Sequence, residues 1–97
     1  MRLISKRPLR EFWVNNPDAE RPLRSWIRTV RHEDWDTPQK VIGTFPKARI
    51  LGDNRVLFNI RGNHYRLIVK INYRRRILYV RFVGTHAQYD RINAEEV

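Results

Sequence analysis

One segment of the sequence gathers side chains that could cleave RNA. His86, Tyr89 and Asp90 place an imidazole, a phenol and a carboxylate within five residues. Metal-free cleavage needs a base for the 2′-hydroxyl, an acid for the leaving 5′-oxygen and cations for the charge that develops on phosphate. No Asp or Glu occurs from Arg55 to Tyr89, whose basic residues are Arg55, Arg61, Arg66, Lys70, Arg74, Arg75, Arg76 and Arg81. The segment therefore indicates a phosphate-rich partner.

His86 is the first candidate for the acid or the base. An imidazole titrates near neutral pH and can exchange protons under cellular conditions. The alternative is a structural histidine that orders the local turn through hydrogen bonds. Tyr89 would share a side with His86 on a helix, where it could donate a proton, hold phosphate, stack on a base or seal a core edge. Asp90 is predicted to orient a neighbour or to pair with Arg91.

Arg66 is the strongest candidate for a phosphate ligand, because a planar guanidinium can bind two phosphate oxygens and keeps its charge. Arg81 and Lys70 are second candidates. His64 could be the partner acid or base, although a histidine beside a turn is as often a polar surface residue. The other predicted RNA contacts are Arg61, Arg74, Arg75 and Arg76. The last three occupy a hairpin, where they either contact ribosomal RNA or protect a sheet edge against aggregation.

Composition limits the classes of function. The 97 residues suit one domain spanning 1–97, and 41% hydrophobic residues suffice for one modest core. A net charge of +10 favours an anionic partner, either nucleic acid or an acidic protein. Because there is no cysteine and the three histidines are dispersed, we expect no metal and no cofactor. No apolar run approaches the length of a membrane span, so we expect a cytoplasmic protein without membrane contact.

Hydrophobic periodicity predicts helices first and strands afterwards. Proline and cap signals predict a helix from Pro8 to Asn15, a second helix capped by Asp18 and a short helical segment after Thr37. Alternation predicts strands at Ala48–Leu51, Arg55–Ile60, His64–Asn72 and Arg76–Val83, with a short edge strand at Leu3 and Ile4. The fold class is therefore α+β, with amino-terminal helices packed on an antiparallel sheet.

The second helix and the strands are predicted to separate apolar from basic side chains. The apolar stripe of the helix is Leu23, Trp26, Ile27 and Val30. Arg21, Arg24, Arg28 and Arg31 fall mostly opposite, either as a solvated face or as a ridge that binds RNA phosphate. Strict alternation places Phe82 with Leu78 and Val80, and Val83 with Arg81. Trp13, Trp26 and Trp35 are predicted to lie in the core rather than to stack on bases.

Two strings of the sequence resemble a known family. Phe58–Leu67 is similar to a glycine-asparagine-x-x-arginine strand, and Val83–Asp90 to a threonine-histidine-x-x-tyrosine-aspartate ending. Both are typical of the HigB-type toxins of type II toxin-antitoxin systems, within the RelE-like mRNA interferase group. A weaker similarity at Val41–Pro46 and Leu3–Ser5 extends the resemblance over nearly the whole chain.

The resemblance implies a single RelE-like toxin domain that cleaves messenger RNA on the 70S ribosome, in the A site. It also implies neutralisation by a HigA-type antitoxin with a helix-turn-helix domain, and contact with operator DNA through the antitoxin complex alone. Two alternatives remain open from the residues. One is a non-catalytic RNA-binding or ribosome-binding inhibitor of translation. The other is a partner subunit that binds an acidic protein and an operator.

Overall fold

A five-stranded sheet with helices on one face organises the chain. The computed structural model describes residues 1–97. Its elements are β1 (Arg2–Ile4), α1 (Arg7–Asn15), a 3-10 turn (Pro17–Ala19), α2 (Glu20–His32), α3 (Pro38–Thr44), β2 (Arg49–Ile50), β3 (Arg55–Ile60), β4 (Tyr65–Asn72), β5 (Ile77–Thr85) and α4 (His86–Tyr89). The predicted α+β class is confirmed. None of the helices has the length and apolar character that crossing a membrane requires.

The sheet contains one parallel pair that the sequence did not indicate. Its strand order is β1-β5-β4-β3-β2, and the pairs among β2, β3, β4 and β5 are antiparallel as predicted. The edge strand β1 pairs with β5 in parallel, with Leu3 opposite Leu78. A parallel pair needs a crossover connection, and here the crossover contains all of the helical layer and three strands. The sheet is therefore mixed.

The core lies between the helices and one face of the sheet. The apolar stripe of α2 is buried as predicted, and so are the three tryptophans. Phe58 of β3 is the centre of an aromatic cluster, with its ring 5.3 Å from that of Trp26, 6.3 Å from that of Trp35 and 5.2 Å from that of Phe45. These contacts attach α2 and the α3 region to the same strand.

A bulge in β5 corrects the predicted distribution of side chains. Val69 pairs with Val80 and Ile68 with Phe82, so Arg81 is an extra residue between the two pairs. One inserted residue reverses the faces of all residues beyond it. Phe82 therefore shares the face of Ile68, away from the helices, while Val83 packs against the core. The prediction that Phe82 lies with Leu78 and Val80 was wrong.

The sheet face opposite the helices, called here the outer face, carries a second small buried patch. Leu57 and Ile68 are fully buried although they lie outside the main core cluster. The segment after α4 returns over this face, where the Nε atoms of Arg55 and Arg81 donate to the carbonyl of Val97 at 2.8 and 3.3 Å. Both sides of the central strands are therefore covered.

Asp18 links the helical layer to the sheet instead of capping α2. The N-cap of α2 is Ala19, without a side-chain bond. Asp18 accepts a hydrogen bond from the hydroxyl of Tyr65 at 2.5 Å and pairs with Arg61 at 3.2 Å. Positive φ angles in the β3–β4 turn fall on Arg61 and Gly62. The 3-10 turn is thus tied to the start of β4.

The Tyr65–Asp18 bond predicts a loss of stability in alkali. The bond to Asp18 comes first among the causes that raise the pKa of Tyr65, and burial adds to it. A raised folded-state pKa means that this stabilisation is present below about pH 10 and is lost as the pH rises through the folded value. We expect Tyr65→Phe to lower stability at pH 7 and to reduce its decline between pH 9 and 11, measured by urea unfolding. Tyr79→Phe is the matched control, and equal pH profiles for the two variants would contradict the assignment.

Candidate functional site

Helix α4 is fixed to the end of β5 by a reciprocal cap. The hydroxyl of Thr85 accepts from the backbone N–H of Gln88 at 3.2 Å, and the side-chain oxygen of Gln88 accepts from the backbone N–H of Thr85 at 2.8 Å. This capping box satisfies two donors that a four-residue helix would leave free. Its signature, Thr85-x-x-Gln88, is present in the sequence but was not among the predicted caps. The cap holds His86 and Tyr89 at the sheet's end.

Arg66 of β4 lies beneath α4 on the outer face. Its guanidinium carbon lies 5.5 Å from the centre of the Tyr89 ring, a cation–π contact. One guanidinium nitrogen donates to the side-chain oxygen of Asn59, on β3. The Nε atom is buried and has no hydrogen-bond partner. A buried donor without an acceptor is costly. Arg66 as a whole is partly exposed, so an oxyanion can approach the rest of its guanidinium group.

Gly84 makes room for this arrangement. It lies directly opposite Arg66 in the β4–β5 ladder. A Cβ atom at Gly84 would come within 2.6 Å of the Phe82 ring and 2.7 Å of the Gln88 side-chain oxygen. Phe82 in turn contacts Tyr89, with 6.5 Å between ring centres. The missing side chain therefore lets Phe82, Gln88 and Tyr89 close over the strand.

His86 is exposed and has a carboxylate partner. Its Nδ1 lies 3.2 Å from Oδ2 of Asp90, one helical turn further on. Asp90 thus orients a neighbour, as predicted, and the neighbour is His86. A proton on Nδ1 would be held by Asp90 and would leave Nε2 free to accept a proton from another molecule.

His64 lies at the same end of the sheet but outside the strand. Tyr65 pairs with Thr85 at the end of the ladder, so His64 precedes and His86 follows the same residue pair. His64 is exposed, and its Nδ1 lies 3.0 Å from the carbonyl of Arg61 within the turn. No hydrogen bond joins His64 to Arg66 or to His86. Its predicted role in proton transfer remains a prediction.

Most of the other predicted phosphate ligands have partners within the chain. Lys70 lies 3.3 Å from Asp53, and Arg61 pairs with Asp18. Arg76 pairs with Asp34 at 2.7 Å and donates to carbonyls of its own hairpin. Arg81 is exposed at the bulge and donates to Val97, whereas Arg74 and Arg75 are exposed without an ion-pair partner. Among the predicted phosphate ligands, Arg66 is thus the one with a described contact to α4, through Tyr89.

Asp53 explains why Lys70 does not simply extend a phosphate site. It accepts from Arg55 at 2.7 Å as well as from Lys70. The hydrogen bond from Arg55, followed by that from Lys70, holds the pKa of Asp53 below its usual value. This carboxylate lies just before the acid-free stretch. Lys70 can reach it because the β3–β4 register places Lys70 opposite Arg55.

An open cavity of about 500 Å³ borders Asn59, the hydrogen-bond partner of Arg66. Asn59 lines it together with Phe45, Phe58 and the turn residues Gly62 and Asn63. The cavity offers apolar surface beside an amide, which suits a planar ring with polar edges. His, Asp and Glu side chains do not gather in groups of three or more that could hold a metal ion.

Comparison with known proteins assigns the chain to a family. The family model described as "HigB_toxin, RelE-like toxic component of a toxin-antitoxin system" matches residues 19–92. The chain belongs to the HigB toxin family. The match takes in β2 to β5 and α4, so all the candidate site residues of this HigB-family protein fall within it.

Curated relatives agree with this family assignment. The mRNA interferase HigB of Escherichia coli O6:H1 (strain CFT073) is 28% identical over 94 residues, which cover 95% of this chain and 91% of the relative. The mRNA interferase toxin HigB of Escherichia coli K12 is 25% identical over 96 residues, covering 97% and 92%. The mRNA interferase HigB of Shigella flexneri has the same identity and coverage as the K12 protein. The resemblance expected from the two sequence strings is confirmed.

Gly84→Ala is expected to disturb the site of this HigB-family chain. The added methyl group displaces the Phe82 ring and pulls the Gln88 oxygen from the Thr85 cap. The combined loss is about 1–2 kcal/mol, typical of a broken cap with mild overpacking. Urea unfolding would measure the loss of stability, and an RNA cleavage assay the loss of activity.

Gly43→Ala is the matched control for that substitution. Gly43 lies in α3, and a Cβ atom there meets nothing within 4 Å. Alanine in a helix is favoured over glycine by about 0.4–1 kcal/mol, so the control is expected to raise stability. Equal changes of stability for the two variants would show that Gly84 has no special steric role.

Proposed function

We propose that this chain is the toxin of a type II toxin-antitoxin pair and acts as a ribosome-dependent endoribonuclease on messenger RNA. The names of the curated relatives support the mRNA interferase activity. The observation that carries the proposal for the site is the arrangement of Arg66 under Tyr89, with a buried unpartnered Nε, beside a helix that also presents His86. Proton transfer and phosphate binding can therefore meet at one end of the sheet.

The proposed reaction is a metal-independent transesterification. The 2′-hydroxyl of the substrate attacks the adjacent phosphorus, a 2′-oxygen–phosphorus bond forms and the bond to the 5′-oxygen breaks. A base takes the proton of the 2′-hydroxyl and an acid gives one to the 5′-oxygen. The products are a 2′,3′-cyclic phosphate and a free 5′-hydroxyl. General acid–base catalysis and charge stabilisation then carry the rate enhancement.

His86 is assigned one of the two proton transfers, through Nε2. Asp90 is a positioning residue, because it contacts Nδ1 of His86 and is not proposed to touch the substrate. A carboxylate on the far ring nitrogen fixes the imidazole's orientation, as in other acid–base sites. His64, at the same sheet end, is the second candidate for proton transfer.

Arg66 is assigned to bind the phosphate. Tyr89 is assigned either to stack on the ring face of a nucleotide or to donate a proton. The partly exposed guanidinium group of Arg66 donates to a phosphate oxygen, while Tyr89 and Asn59 keep it in place. Arg74 and Arg75, unpaired at the hairpin, are assigned to RNA backbone further from the reacting bond, together with Arg61, Arg76, Arg81 and Lys70. The cavity beside Asn59 is assigned to a base of the substrate.

The proposed partners follow from the same family. A HigA-type antitoxin with a helix-turn-helix domain would neutralise the toxin and bring it to operator DNA. Translated messenger RNA and the 70S ribosome would be the target, which places the activity in the cytoplasm.

His86→Ala is expected to abolish cleavage while the fold persists. The loss of an acid or base lowers a rate by about 100-fold to 10,000-fold. Primer extension on a translated reporter after brief induction measures the cuts, and removal of the start codon tests their dependence on translation. Asp90→Asn should give a smaller loss than His86→Ala. Gln39→Ala, an exposed change in α3, is the control that retains activity.

Two outcomes would contradict the proposal. Undiminished cuts with His86→Ala would remove His86 from the chemistry. Growth arrest by the wild-type chain without any cuts would favour an inhibitor that only binds RNA or the ribosome. In that case, inhibition should follow the number of arginines removed and weaken with added salt.

A further inference from the structure

A basic cleft lies between α1 and α2, on the opposite side of the sheet from Arg66. It is open, with a volume of about 380 Å³. Its floor is formed by Trp13 and Ile27, which belong to the core cluster. The other residues that line this α1–α2 cleft are Lys6, Arg10, Arg24, Arg28, Arg31 and His32. No carboxylate lines it.

The cations of the α1–α2 cleft repel one another. Arg24 is neutralised by Glu20 at 2.7 Å and lies over the Trp13 ring at 4.8 Å. Lys6, Arg10, Arg28 and Arg31 have no carboxylate within ion-pair distance. Repulsion by Arg31, followed by burial and repulsion by Arg10, lowers the pKa of Lys6. An anion placed among these groups would remove an unfavourable interaction as well as add a favourable one.

We propose that the α1–α2 cleft binds the phosphodiester backbone of RNA, at a place separate from the candidate cleavage site. Arg24, Arg28 and Arg31 follow one another on successive turns of α2, with rises of about 6 and 4.5 Å along the axis. A row of this kind can meet successive phosphates of one strand. Guanidinium groups bind phosphate oxygens in pairs and lose hydration readily. The residues thus match a polyanion better than a single small anion.

A protein partner fits the α1–α2 cleft less well. Interfaces between proteins are depleted of charged residues at their centre and bury apolar side chains there. Here the two apolar residues are already buried, Trp13 to 9% exposure and Ile27 to 8%. An acidic peptide would gain ion pairs but almost no apolar contact. RNA backbone needs the ion pairs alone, since phosphate contacts supply its sequence-independent affinity.

This second site separates binding from cutting. The α1–α2 cleft lies on the helical side of the sheet, whereas Arg66 and α4 lie on the outer face, so the two sites are separate surfaces. The inference holds whether or not the chain cleaves RNA, because none of the cleft residues belongs to the proposed reaction. If the chain does cleave RNA, the cleft would anchor a large folded RNA while a different segment reaches His86.

Binding of a short 2′-O-methyl RNA hairpin tests this proposal. The probe lacks the 2′-hydroxyl nucleophile, so binding is observed without cleavage. Fluorescence anisotropy between 50 and 200 mM NaCl would compare the wild-type chain with Arg28→Gln/Arg31→Gln. We expect at least roughly tenfold weaker binding at low salt, and a fall of about 1.8 in the slope of log K against log salt for two lost phosphate contacts.

Arg2→Gln/Arg49→Gln is the matched control, since it removes the same charge from two exposed residues outside the cleft that, like Arg28 and Arg31, have no ion-pair partner. It should change affinity by less than about threefold, as expected for a general charge effect. Arg28→Lys/Arg31→Lys keeps the charge and should retain most of the binding. Circular dichroism would verify that all variants are folded.

Equal losses of affinity and slope in the cleft variant and the control would overturn the proposal, because net charge alone would then explain RNA binding. The same hairpin can be displaced with poly-L-glutamate as an acidic peptide. If the cleft substitutions weaken the binding of poly-L-glutamate but leave the hairpin's affinity unchanged, the cleft is a protein-docking surface and the RNA assignment is wrong.

Discussion

The antiparallel pairing of β4 with β5 is the constraint on which the site depends. The ladder runs from Asn72 and Ile77 to Tyr65 and Thr85, and it places Arg66 opposite Gly84. The end of this ladder is also the start of α4, so the position of that helix is set by backbone hydrogen bonds of the sheet. The capping box then fixes its direction. A four-residue helix has little stability of its own, and the sheet supplies the rigidity that it lacks.

Ion pairs within the chain divide its basic side chains into those that are paired with a carboxylate and those that are not. Asp18 and Asp34 pair with arginines from distant parts of the chain, and Asp53 pairs with Lys70 of β4 as well as with the nearby Arg55. These pairs tie loops to the sheet. Among the cations without a carboxylate partner, two share the hairpin after β4 and four line the α1–α2 cleft, namely Arg74, Arg75, Lys6, Arg10, Arg28 and Arg31. Unpaired positive charge thus gathers in at least two places, and only the hairpin belongs to the acid-free stretch of the sequence.

Local patterns in the sequence were sufficient for most of the fold. Alternation located β3 at its observed bounds, and the spacing of Leu23 to Val30 identified the buried stripe of α2. The bulge at Arg81 was not predictable. Most residues of β5 are apolar, so the sequence does not show where one face of the strand changes to the other. The parallel pairing of β1 and the partners of Asp18 and Asp53 depend on contacts between residues far apart in sequence. For the site, residue types indicated Arg66, His86 and Tyr89, but only the ladder shows Asn59 and Gly84 beside Arg66.

The parallel pair of β1 with β5 has a consequence for how the chain is made. Residues 2–4 are synthesised long before their partners, residues 77–79. Until then the helices have no sheet to cover, since their apolar stripe packs on strands that follow them. Contacts so distant in sequence form late and slowly. Arg66, Gly84 and α4 therefore come into register only after β5 has been synthesised, so a chain that still lacks β5 has no assembled site.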